Sequence, residues 1–133
     1  MIVGNISELS IVGVYDRGVP NQERIVMRPQ QEINMGRHGF FLGLKQPNGL
    51  YLPLYDHMFW FGDGIVQPPS WLFVYTGPGQ ARQAKTQDTQ ELAYVLHWGK
   101  KMTVLNDERI APILFRVDAI QIAGVAPLQL GVS

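Results

Sequence analysis

Pro68-Pro69-Ser70-Trp71-Leu72-Phe73-Val74-Tyr75-Thr76-Gly77-Pro78-Gly79 is the stretch on which the fold class turns. The paired prolines lack backbone donors and stop any helix from running in from upstream. Trp71 to Thr76 are all residues that favour strands, and Gly77-Pro78-Gly79 supplies a turn that ends them. Trp71, Phe73 and Tyr75 fall on one side of that strand and Leu72 and Val74 on the other, so both faces are apolar.

Outward from this strand, most apolar runs alternate with period two and stop at Gly, Pro or Asn. Leu9 to Tyr15 is a first strand, and Asp16 to Asn21 is a turn-rich connection. Arg24-Ile25-Val26-Met27-Arg28 follows, with Ile25 and Met27 toward the core. Phe40, Leu42 and Leu44 share one face of the next strand, and Gln46-Pro47-Asn48-Gly49 makes a hairpin turn into Leu50 to Leu54. Met58 to Phe61 is a short aromatic strand closed by Gly62-Asp63-Gly64. Gln80 to Gln90 is polar without apolar period and is expected to be a solvated loop. For Glu91 to Trp98, Asp88 and Glu91 would suit a helix cap, whereas Tyr94-Val95-Leu96-His97-Trp98 suits a strand; a strand is expected. Pro112 to Asp118 alternates with Ile113, Phe115 and Val117 expected inward, and Ala119 beside Ile120 suggests a bulge before Ile122. The tail from Gly124 to Ser133 carries Pro127, Leu128 and Leu130 with no charge, and would pack on its own domain or a neighbour's. The sum is an all-β chain, an immunoglobulin-like antiparallel β-sandwich of about eight short strands, forming one domain over 1–133.

The balance of 11 basic and 11 acidic residues gives a formal charge of zero, and charged residues make up only 17%. Non-specific nucleic-acid or anionic-membrane binding needs surplus positive charge, so neither is expected. Low charge favours self-association, so a homo-oligomer or a protein partner is expected. The absence of cysteine excludes disulfides, thiolate zinc sites and a cysteine nucleophile. Met1 to Glu8 lacks a basic segment followed by an apolar signal-peptide core, and nowhere do about 18 apolar residues run together. A cytoplasmic location is expected.

Several segments, in their order and spacing, resemble the lamin-tail domain, in a divergent prokaryotic form. Glu23-Arg24-Ile25-Val26-Met27-Arg28 is similar to the family's early strand, where a glutamate precedes alternating apolar residues. Ile33-Asn34-Met35-Gly36 followed by Gly39-Phe40-Phe41-Leu42 resembles its polar turn and Gly-Trp strand, with Phe40 where tryptophan is usual. The Pro68 to Gly79 segment resembles a proline-glycine turn, apolar strand and Thr-Gly-x-Gly exit, and Leu96-His97-Trp98-Gly99 is similar to a later Leu-Tyr-Trp-Gly. The resemblance spans roughly Glu23 to Ile122. It implies an immunoglobulin-like sandwich used for attachment and recognition, and no catalytic residues.

Chemistry is sparse along the chain. His38, His57 and His97 are too scattered for local metal spacing, and the densest polar cluster is Asp56 and His57 with Asp63 nearby. A loop joining these three would offer a cation its ligands, but a Gly62-Asp63-Gly64 turn and a strand-end histidine are the commoner explanation, so no metal or cofactor is expected. Gly77 to Arg82 is a poor phosphate cradle, because Pro78 removes an amide that such a loop needs. Arg82, Lys85, Lys100 and Lys101 are better explained as a solvated hairpin, or as guards of an edge strand, than as a nucleic-acid patch. No serine sits in a nucleophile elbow and no carboxylate pair is fixed on one element, so the chain is not expected to be an enzyme.

The aromatic residues carry the strongest signal. A two-sheet sandwich buries one face of each strand, yet Trp71 to Thr76 and Met58 to Phe61 are apolar on both. Phe59, Trp60, Phe61, Trp71 and Tyr75 are therefore expected to contribute to a self-association or partner-binding face. The function this implies is a non-catalytic recognition or assembly module acting through protein contacts or self-association. The alternative is a small-molecule or carbohydrate binding module, its cleft lined by the aromatic cluster with Asp56, His57 and Asp63.

Overall fold

The computed structural model describes residues 4–124 and 131. In chain order its strands are β1 (Leu9–Tyr15), β2 (Arg24–Pro29), β3 (Ile33–Asn34), β4 (His38–Lys45), β5 (Tyr51–Trp60), β6 (Ile65–Val66), β7 (Ser70–Tyr75), β8 (Arg82–Lys85), β9 (Leu92–His97) and β10 (Ile110–Arg116). A 3₁₀ turn, Met35–Arg37, leads into β4, and the Asn34 side chain caps it by accepting from the Gly36 amide at 2.9 Å. Among the described residues no helix is long and apolar enough to cross a membrane.

The strands form a five-stranded sheet in the order β1-β2-β7-β9-β8, a three-stranded sheet in the order β10-β4-β5, and a small β3-β6 pair. The two larger sheets pack as an immunoglobulin-like β-sandwich. Ile25 and Met27 of β2 and Leu72 and Val74 of β7 meet Phe40 and Leu42 of β4, all of them buried. The inward directions expected for Ile25 and Met27 therefore hold, the shared face of Phe40 and Leu42 is the inward one, and the opening strand turns its smaller face, Leu72 and Val74, to the core.

The pairings are antiparallel apart from β7 with β9, which run parallel in register from Ser70↔Leu92 to Tyr75↔His97. The sixteen residues between these two strands carry β8, where a solvated loop was expected. Arg82–Lys85 pairs antiparallel with β9 as the sheet's edge, and an edge strand with a solvated side has no apolar alternation to betray it. Leu50 to Leu54 and Met58 to Phe61 also depart from expectation, since Tyr51–Trp60 is a single strand. Its register with β4 slips between Gly43↔Pro53 and Phe41↔Met58, so that Leu54 to His57 form a bulge opposite Leu42.

The β10 phase is reversed. Ile113 pairs with Phe41 and Phe115 with Gly39, which puts both on the outer side of the three-stranded sheet, while Ile110 and Leu114 pack toward the core. Gly39 and Gly43 cause this reversal. A Cβ on Gly39 would lie 2.7 Å from the Phe115 ring, and one on Gly43 would lie 2.7 Å from Ile113 Cδ1, so those side chains occupy the room the glycines leave. The chain leaves β10 at Arg116; Ile120 and Ile122 are exposed and in no strand, so the bulge expected at Ala119 does not form. Pro127, Leu128 and Leu130 lie outside the described residues.

Two buried carboxylates join the layers. Glu23 accepts from the Gly18, Val104 and Leu105 amides at 2.9 Å each and from the Thr76 hydroxyl at 2.6 Å. At the other end Glu8 meets His38 Nε2 at 3.0 Å and Arg116 Nη1 at 2.9 Å, linking the β1 entry to β4 and β10. A buried carboxylate is tolerated only with such a set of donors.

Candidate functional site: an aromatic trough on the five-stranded sheet

Alternation along β2, β7 and β9 sends Trp71, Phe73 and Tyr75 outward, away from the core. Register then arranges their neighbours in rows across the sheet. Tyr15, Arg24, Tyr75 and His97 form one row, and Gly13, Val26, Phe73, Val95 and Arg82 the next. In a third, Trp71 lies beside Ala93 and Ala84. Small residues in the middle with larger ones around them make a trough. Its volume is about 600 Å³, within the usual range for ligand sites. Val26, Ala93 and Val95 are buried on its floor, and the segment from Thr86 to Thr89 rises along one side.

The rings are held in place. Arg28 sits 4.1 Å above the Trp71 ring and makes a two-toothed ion pair with Glu91, at 3.2 and 3.0 Å. Trp71 Nε1 donates to the same carboxylate at 3.1 Å, and so does the Thr89 hydroxyl at 3.0 Å. Hydrogen bonds from Arg28, then from Trp71 and Thr89, hold the Glu91 carboxyl at about 2, below its ordinary 4.5. At the other end Arg24 lies 5.4 Å from the Tyr15 ring centre and 5.8 Å from that of Tyr75, and pairs with Asp16 at 2.7 Å. Tyr75 stacks on His97 with centroids 5.3 Å apart, and Arg82 Nη1 lies 3.3 Å from His97 Nε2. Arginines over ring faces are a favourable cation–π arrangement, and here they also stiffen the platform. Such a site can stack a ligand and hydrogen-bond its edges.

The five aromatic residues singled out in the sequence do not share one face. Trp71 and Tyr75 line the trough. Trp60 lies on the outer side of the three-stranded sheet, 46% exposed, with Nε1 donating to the Gly36 carbonyl at 2.6 Å. Phe59 and Phe61 point inward: Phe61 is 4% exposed, and Phe59 packs 5.7 Å from Phe40 and 5.9 Å from Trp98, so their apolar surface belongs to the core. Phe73, Arg24 and Arg28 are site residues missing from that set. Phe73 sits between Trp71 and Tyr75 at strand period, and the alternation of Arg24 and Arg28 about Val26 was the available signal.

Asp56, His57 and Asp63 stand apart from the trough. Asp56 and His57 are in the β5 bulge, where Lys100 Nζ donates to the Asp56 carbonyl at 2.8 Å and His57 meets the Trp98 ring edge-on at 6.2 Å. Burial, then the nearby Lys100 charge, lowers the His57 pKa. Asp63 lies instead by Gly36. Among the described residues no three His, Asp or Glu side chains are grouped to hold a metal ion. Comparison with protein-family models, curated proteins and solved structures finds no match.

Proposed function

We propose that the domain is a non-catalytic assembly module in which two copies pair through the outer side of the three-stranded sheet. The observation that carries this is the composition of that side. From β4 it presents Gly39, Phe41, Gly43 and, at one end, Lys45, from β10 Ala111, Ile113 and Phe115, and from β5 Trp60, Met58, Pro53 and Tyr51. Lys45, at one end, is the one charged member of these eleven, and Met58, Trp60 and Tyr51 are 58%, 46% and 44% exposed. The glycines seat Phe115 and Ile113 low, so the surface is shallow and suits another sheet better than a small ligand. A second copy brings the same largely uncharged surface, and a formal net charge of zero limits repulsion between copies.

The surface measures roughly 10 Å by 24 Å, small for an obligate interface, so pairing is expected to depend on concentration. The lamin-tail resemblance supports a role in attachment. Sedimentation velocity from micromolar to millimolar protein is the test. The expected mass climbs toward that of a dimer, and Met58→Lys and Trp60→Lys hold it at the monomer while circular dichroism stays native. A wild-type mass that stays monomeric at millimolar concentration, or lysine variants that associate as tightly as wild type, sinks the proposal.

A further inference from the structure

We infer that the trough on the five-stranded sheet is a binding site for a neutral glycan chain. The inference is independent of pairing through the other sheet. Size and shape come first. Trp71 and Tyr75 are four residues apart on β7, roughly 13 Å along the strand, with Phe73 between them. That length fits several sugar rings in a row better than one compact ligand. Sugars present C–H faces, which stack on aromatic rings, and hydroxyl edges, which both donate and accept hydrogen bonds.

The polar groups around the trough match that mixture. Arg82, Lys85, Gln87 and Asp88 are exposed along one side, giving donors, an acceptor and an amide that is both. Charges are nearly balanced, because Arg24 is paired with Asp16 and Arg28 with Glu91. An anionic polymer would therefore meet Asp88 along with Arg82 and Lys85, and the other two arginines already engaged by carboxylates. A wholly apolar ligand would strip water from Arg82, Lys85 and Asp88 without replacing its hydrogen bonds. An extended peptide gains most of its affinity by adding to a sheet edge, whereas the trough lies on a sheet face whose backbone groups are already paired. The arginine and glutamate that fix the Trp71 ring reduce the entropy lost on binding, as expected of a built platform.

Calorimetry with cello-, manno- and chito-hexaose, an acidic oligogalacturonide and a proline-rich peptide tests the inference. Binding of at least one neutral hexaose is expected, with amide shifts confined to β2, β7, β8 and β9. Trp71→Ala and Tyr75→Ala should each weaken it at least about tenfold. Ala84→Trp, which fills the trough without removing a contact, should abolish it even if Trp71→Ala impairs folding, and Trp60→Lys should leave it unchanged. No neutral hexaose binding at millimolar concentration overturns the inference. So does binding of the acidic glycan or the peptide alone, or binding that survives Ala84→Trp.

Discussion

The Thr76 hydroxyl donates to the Glu23 carboxylate at 2.6 Å across 53 residues of chain, and both side chains are buried. The bond ties the exit of β7 to the entry of β2. The two remaining segments at this end are tied to the same group, because Glu23 also accepts from Gly18 and from Val104 and Leu105. One carboxylate thus closes the end of the sandwich next to the Tyr75 end of the trough. Glu23→Ala would leave four buried or half-buried donors without an acceptor, and a loss of roughly 3–5 kcal/mol is expected from urea unfolding. Thr76→Val removes one donor from a carboxylate that keeps three, and should cost about 1–2 kcal/mol. Equal losses in the two variants would contradict a shared hub.

Acid should weaken the fold through Glu8. Burial raises its pKa, but hydrogen bonds from His38, from its own backbone and from Arg116, with the Arg116 charge, outweigh burial and hold it at about 2 against an ordinary 4.5. A folded-state pKa below the unfolded one means the unfolded chain binds the proton more readily. The stability from Glu8 is therefore complete above about pH 4.5 and lost as pH falls through about 2. Glu91, also at about 2, acts in the same direction. The thermal midpoint of the wild type should drop across this interval. Glu8→Gln should start lower at neutral pH and fall less steeply; a parallel curve would remove Glu8 as a source of the slope.

Strands were legible in this chain because the period of two is local, whereas the side of a sheet that each strand turns inward is not. The β2 phase was readable because charged Arg24 and Arg28 alternate with apolar Ile25 and Met27. Over Ile110 to Phe115 of β10 neither phase carries a charge, so alternation could not choose between Ile110 with Leu114 and Ile113 with Phe115. Pairing with Gly39 and Gly43 made the choice, through space those glycines leave on one side only. The trough had the same partial visibility. Trp71, Phe73 and Tyr75 were readable as one row, but that Arg24 and His97 flank Tyr75 depends on β2 and β9 pairing with β7, with β9 parallel to it. Phe59 and Phe61 looked like surface candidates because Met58 to Phe61 is apolar on both faces, and their burial follows from the core contact with Phe40.

Gly39 should resist any side chain. A Cβ there would lie 2.6 Å from the Phe59 carbonyl oxygen and 2.7 Å from Phe115 Cζ. The ring can swing, but the oxygen belongs to the paired β5 backbone and cannot move without opening the ladder. Gly39→Ala is therefore expected to cost about 1–3 kcal/mol. Adding Phe115→Leu should recover only the ring's share, so the double variant should remain less stable than Phe115→Leu alone in chemical denaturation. Full recovery would place the whole clash on the ring.

Pairing through a largely uncharged surface should respond to solution conditions in its own way. Salt screens interactions between exposed charges over about 10 Å at 0.1 M and about 3 Å at 1 M. Contacts among Phe41, Met58, Trp60, Ile113 and Phe115 contain no charge to screen, so the dimerisation constant should hold or tighten between these salt concentrations. An interface built from the Arg24, Arg28 and Arg82 side of the molecule would instead weaken. The two cases also separate by mutation. Phe41→Ser should reduce association by removing a ring that stacks on Phe115 at 6.4 Å, and Arg82→Ala should leave it unchanged. Association that falls steeply with salt and responds to Arg82→Ala would move the contact to the five-stranded sheet, where it would compete with any ligand in the trough.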